Sequence, residues 1–229
     1  MRTRTILLAI LLAPLGSFAA PDKVGARGDV SASLGRSTAS TMASDKDQRE
    51  ILSALIAAVG YRAPLPPPSG PDQVRDETSP TVVLNDQPIV FCSSGVRGQQ
   101  AECTTEIQRS DLAPVEAEVS KGLVNDFWVS STEGRSGKQP PIGGVVMSRS
   151  DDIKKLLAGS DGWKRFHQTY SPSAGVLSAT RAVLSGNQTH ALIYVAYRCG
   201  SLCGFGQVHY LVRTKDAWQL ERSYRLWVS

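Results

Sequence analysis

Beyond residue 20, this 229-residue chain has no apolar run near the roughly 20 residues that a membrane-spanning helix needs. Charge of one sign is also scarce. Lys and Arg exceed Asp and Glu by only four, which is too little to argue for nucleic acid or an anionic membrane as a partner. Three histidines and four cysteines leave little material for a metal centre. The motifs of common catalytic classes are missing too. There is no G-x-S-x-G elbow, since Gly159-Ser160-Asp161-Gly162 is one residue short, and no S-x-x-K followed by KTG. Gly143-Gly144 lacks the lysine and the spacing of a phosphate-binding loop.

What is present begins with an export signal. Arg2 and Arg4 precede the apolar stretch ILLAILLAPLG, and Ser17-Phe18-Ala19 has the small-x-small pattern of a cleavage site. Residues 1–19 therefore read as a cleaved signal peptide. No cysteine near that site could carry a lipid anchor, so the expected location is periplasmic or secreted. Cleavage removes both arginines and no acid, lowering the formal charge from +4 to +2. Residues 20–44 hold few large apolar side chains and read as a flexible leader. A single domain is expected over 45–229, interrupted by a spacer at 62–71 whose five prolines suit neither helix nor sheet.

Within that domain the pattern alternates between helix and strand. Ser44 can cap a helix in which Ile51, Leu52, Leu55, Ile56 and Val59 share a face, and Gly60 ends it. TVVLNDQPIVFC carries Pro88, so it predicts an edge strand or two short ones joined at Asn85-Asp86. Leu112, Val115, Val119, Leu123 and Phe127 predict one helix from Ser110 to about Trp128. Ser150 and Ser160 are expected as helix caps, the second before a short helix carrying Trp163, Phe166 and Tyr170. The chain closes on three strands between Asn187 and Ser229 with alternating faces. The expected fold is α+β, with helices packed on one face of an antiparallel sheet and a C-terminal three-stranded meander.

In an oxidising compartment four cysteines read as two disulfides, and spacing favours Cys92–Cys103 with Cys199–Cys203. CxxxC is not the usual redox spacing, so the second pair is expected to staple a turn in which Gly200, Gly204 and Gly206 supply positive φ. With that turn centred near residue 202, His190 faces about 212–214 and His209 faces about 195, too far apart for a two-histidine site. His167 is expected to be surface or partly packed, like the other two. The acids Asp151-Asp152 and Glu116/Glu118 suit first helical turns.

The C-terminal block has a recognisable shape. It runs from Gly162-Trp163 and Phe166 through Val176–Arg181 and the strand QTHALIYV at 188–195 to the turn CGSLCGFG at 199–206, then Trp218 and Trp227-Val228-Ser229. It resembles a family of secreted or lipid-anchored bacterial proteins without an assigned activity. The resemblance implies an extracytoplasmic α+β domain and brings no catalytic residues with it. The chain departs from the family in lacking an anchoring cysteine.

These readings point to a secreted or periplasmic binding or interaction domain, with a small extracytoplasmic hydrolase as the alternative. Neither cofactor nor metal is expected, and the partner is expected to be an envelope protein or a small ligand. A pocket between helices and sheet would be lined by Trp163, Phe166, Tyr194, Tyr210 and Trp218.

Overall fold

The computed structural model describes residues 39–61, 82–92, 103–133, 137–215 and 217–229. The signal segment, most of the leader and the proline-rich spacer expected from the sequence lie outside the described residues. The described part opens with a two-residue strand, β1 (Thr41–Met42), and the helix α1 (Asp45–Val59). Ser44 caps α1 by accepting from the Asp47 amide at 3.1 Å, and its hydroxyl donates to the Asp47 carboxylate at 2.6 Å. Gly60 closes the helix in the left-handed conformation that a side chain would penalise. Arg181 and Arg213 pair with Asp45 and Asp47 and hold this first turn to the strands below.

The segment around Pro88 forms two short strands, β2 (Val82–Asn85) and β3 (Val90–Phe91). The expected edge position holds for neither face of β2, which has a strand on each side. Proline falls in the gap between β2 and β3, so no ladder hydrogen bond is lost to it. The return after the Cys92–Cys103 excursion is β4 (Cys103–Thr104), and it pairs with β3 in parallel as a separate two-stranded sheet.

The helix expected over 110–128 is broken. A 3-10 turn (Arg109–Leu112) runs into the one-turn helix α2 (Ala113–Glu116), and α3 (Lys121–Thr132) starts afresh. Ser120 is the reason, since its hydroxyl accepts from the Leu123 amide and begins a new helix. The five apolar residues that suggested one helix are nonetheless all buried.

Next come β5 (Val146–Ser148), α4 (Ser150–Leu157), α5 (Gly162–Thr169), β6 (Gly175–Ala179) and β7 (Val183–Leu184). Neither expected serine cap is made. Ser150 is already the first residue of α4, after Arg149, and Asp161 rather than Ser160 precedes α5. The long meander follows as β8 (His190–Gly200), β9 (Cys203–Thr214) and β10 (Ala217–Val228).

Among the described residues eight strands form one sheet, and β8 is its trunk. One edge of β8 pairs along its whole length with β9, which in turn carries β10. Its other edge is shared. Residues 191–192 take β7, with β1 beyond it, and residues 195–198 take β6. From β6 outward the pairing turns parallel, through β2 to β5. The expectation of an antiparallel sheet is corrected here: the sheet is mixed. Joining parallel strands needs a crossover, and α4 and α5 supply it between β5 and β6.

Helices on one face only is the second correction. Ala191, Ile193, Val195 and Tyr197 of β8 pack with Ile51, Leu52 and Leu55 of α1. The intervening Leu192, Tyr194 and Ala196 pack with Leu123, Val124 and Phe127 of α3. On that same second face a smaller cluster gathers Val83 and Val176 under Ile153 of α4 and Phe166 of α5. Both faces are covered, which is why HALIYVAYR reads as an almost continuous apolar run rather than a clean alternation.

The two bridges join Cys92 to Cys103 and Cys199 to Cys203, with Cα atoms 4.9 and 5.1 Å apart. The second closes a two-residue loop, Ser201-Leu202. The ladder is therefore centred slightly earlier than expected, and His209 faces Ile193 rather than residue 195. The turn glycines serve a purpose other than positive φ. A Cβ on Gly206 would collide with the Trp227 indole and the Tyr194 hydroxyl, so this glycine makes room for a ring to lie across the strand.

Candidate functional site

The second face of the sheet is not covered continuously. One helical package, α2 and α3, sits over the start of β8, and another, α4 and α5, sits over β2 and β6. Between them the floor is made by a two-by-two patch in which Val176 pairs with Arg198 and Ser178 with Ala196. Small side chains at Ser178 and Ala196 leave the patch unfilled. The result is a hollow of about 360 Å³, walled on one side by Ile153, Lys154 and Leu157 of α4 and by Ala158 just after it, with Asn85 also lining it.

Two further hollows share walls with this one. Arg198 also lines a hollow of about 390 Å³ with Glu106, Gly200, Ser201, Trp227 and Ser229. Ser150 also lines a polar hollow of about 220 Å³ with Asp86, Gln87, Lys138, Arg149 and Asp151. In the polar hollow the Asp86 carboxylate is committed at both oxygens, accepting from the Ser150 amide at 3.1 Å and facing Lys138 at 3.5 Å. The start of α4 is thereby already capped by an acid, which leaves no vacancy for an anion there.

Arg198 sits where the two larger hollows meet. Its Nη2 donates to Glu106, and its guanidinium lies over the Trp227 ring, 5.8 Å from the centroid. Trp227 is fixed in turn, since its indole N–H donates to the Tyr194 hydroxyl at 2.8 Å. Burial pushes the Tyr194 phenol up to about 12, so that hydroxyl stays protonated. The arrangement is a cation on an aromatic support, half-exposed, with an apolar trough on one side. Such a site can hold an anionic group by charge and a hydrocarbon body by burial.

A second cluster lies inside the first face. His209 is fully buried, its Nδ1 2.8 Å from the Ser223 hydroxyl and its Nε2 3.2 Å from the Tyr61 hydroxyl. A neutral imidazole, with one donor and one acceptor nitrogen, satisfies both contacts in either tautomer. Ser223 is exposed, so the set has the outline of a serine beside a base. Its electrostatics oppose that use. Burial lowers the His209 pKa to about 4, and the ring's hydrogen-bond partners are hydroxyls rather than a carboxylate. A general base at neutral pH must accept a proton and be stabilised as imidazolium, and this ring resists both.

The remaining candidates are dispersed. His190 stacks on Tyr210 with Nδ1 2.8 Å from its hydroxyl, on the opposite face from His209. His167 contacts the Cys199 carbonyl at 3.3 Å beside Trp163 and Phe166. No group of three or more His, Cys, Asp or Glu among the described residues could hold a metal ion. Glu116 pairs with Arg109, and Glu118 receives both Arg222 and the Tyr224 hydroxyl.

Of the five aromatic residues proposed as pocket lining, none borders these three hollows. Trp163 and Phe166 belong to the cluster under α4 and α5, and Tyr194 and Tyr210 to the one under α3. Trp218 lies on the other face beneath the Arg213 guanidinium, 4.4 Å from its ring centroid. Tyr194 comes nearest, through Trp227. The residues that floor the trough, Val176, Ser178, Ala196 and Arg198, carried one faint signal. Ser178 and Ala196 are both small, and only the pairing of β6 with β8 puts them side by side.

No protein-family model, curated protein or solved structure matches the chain.

Proposed function

We propose that the protein is a secreted or periplasmic binding domain whose ligand lies in the trough between α4 and the segment bearing Glu106. One observation carries this reading. The sheet's second face is split between two helical packages, and the gap is floored by small residues with Arg198 where it opens into the neighbouring hollow. Export is supported by the signal-like first 19 residues and by two disulfides, a bond that persists in oxidising compartments. The resemblance of the C-terminal block to secreted bacterial proteins points the same way. The alternative, a small hydrolase, would draw on Ser223 and His209. It is disfavoured by a base whose pKa lies near 4 and that has no carboxylate among its hydrogen-bond partners.

The test is a ligand-observed NMR screen of a small-fragment library against the wild-type protein and Ser178→Phe, whose ring would fill the trough. Binding fragments that are lost in the variant support the reading. Fragments that bind the variant equally well place the site elsewhere and overturn it.

A further inference from the structure

Resting on the trough reading, we infer that the ligand is an amphipathic acid. Its carboxylate takes the Arg198 guanidinium from Glu106, and its aliphatic body lies along Ile153, Leu157, Val176 and Ala196. Three features of the site converge on this chemistry. Among the described residues Arg198 is the one common to both larger hollows, so a group bound to it reaches the trough without further rearrangement. Its guanidinium has five N–H donors, and among the described residues a single hydrogen bond, to Glu106, engages them. On the α4 side Ile153, Leu157 and Ala158 give the trough an aliphatic wall with Ser150 and Lys154 beside them, which suits a hydrocarbon body better than a ligand charged along its length.

Glu106 has the character of a resident substitute. Its carboxylate engages Arg198 through one oxygen, as a ligand acid could. The pair is about half-exposed, with side-chain exposures of 49% and 39%. Exposed pairs of this kind are weak, so exchanging one carboxylate for another costs little. Trp227 holds the guanidinium from its other side while the exchange takes place. The step is a swap of ion-pair partners, with no covalent change.

The acid could be a free alkanoate or the carboxyl end of an apolar peptide. Two acids, octanoate and N-acetyl-leucine, and their neutral counterparts, octanol and N-acetyl-leucinamide, separate these sources. Each is titrated into the 15N-labelled protein and followed by amide chemical shifts. At least one acid is expected to shift residues of β6, β8 and α4, and the acid that does so names the source.

Arg198→Met is expected to weaken that binding about tenfold or more, the scale of a hydrogen bond to a charged group. Glu106→Gln, which removes the competing charge and keeps the side chain's shape, is expected to tighten it by up to about fivefold. A merely structural ion pair would not show tighter binding on losing its acid. Neutral counterparts that bind as well as the acids, acids that bind Arg198→Met as they bind wild type, or no binding by any of the four overturns the inference. If the neutral compounds bind and Ser178→Phe abolishes that binding, the trough survives and only the acid falls.

Discussion

Beneath α1 the sheet carries one continuous apolar layer, drawn from β2, β6, β8, β9 and β10 and sealed by a single 15-residue helix. The opposite face is covered by two packages that never merge, and a trough runs between them. Both faces alternate along the same strands, so the backbone does not explain the difference. It lies in side-chain volume at the middle of each face. Ile193, Val195 and Leu177 fill the first, whereas Ala196 and Ser178 leave the second open. A domain of this size thus divides its labour, with one face given to stability and the other retaining a cavity.

The sharpest way to break that comparison is to cut into the filled face. Leu52→Ala removes a fully buried side chain from α1 and is expected to destabilise the fold by about 2–5 kcal/mol, measured by urea denaturation. A loss under about 1 kcal/mol would mean that α1 is not the seal described.

Acid probes the same face. An unfolded chain protonates His209 near pH 6.5, whereas the buried ring holds out until about 4. Unfolding therefore takes up a proton in that window, and stability falls as pH drops from 6.5 to 4. The expected contribution is about 3 kcal/mol, levelling off below the lower value. In His209→Gln that component should vanish from the stability–pH curve. An unchanged curve would show that His209 does not govern it.

Gln48 offers a smaller effect. It is buried on α1, donates to the Gln139 side-chain oxygen and the Thr180 carbonyl, and accepts from the Ala182 amide. Gln48→Ala leaves the Ala182 amide and the Gln139 side-chain oxygen without that partner, while the Thr180 carbonyl keeps a longer contact from Gln139 at 3.5 Å. The expected cost is about 1–3 kcal/mol by the same denaturation measurement. Slightest of all, on the open face, Ser178→Val should move the unfolding free energy by no more than about 0.5 kcal/mol, because its side chain borders a hollow rather than a packed layer. A large loss would mean that the trough is closed in solution.

How much of this could be read from residue order differs between the faces in the same way. α1 was legible because its cap, its apolar period and its terminal glycine are local. Both cysteine pairs were legible from spacing alone. The meander was legible from the turn at 199–203, which ties β8 to its sequence neighbour. Parallel pairing of β2 with β5 and β6 was not, because VVLN carries no mark of partners some 60 to 90 residues away. The run HALIYVAYR did hold the evidence for cover on both faces. The trough could not be read at all, because a gap between two clusters is a property of packing. Tyr61, His209 and Ser223 are likewise brought together only by the fold.

The last strand shifts register twice against β9, between Leu220 and Arg222 and between Arg225 and Trp227. Trp218 and Leu220 consequently pack under α1, while Tyr224 and Trp227 pack on the other side. A single strand thus stitches the two cores together, one thread passing through the cloth. That makes β10 intolerant of an added residue. Inserting one residue after Ser223 would carry Tyr224 opposite Gln207 and onto the wrong face, whereas deleting Glu221, the extra residue of the first shift, would leave Ser223 opposite His209 and Tyr224 opposite Val208. The same insertion would carry Trp227 past Gly206, so the support beneath Arg198 is set by residue number along β10 as much as by residue type.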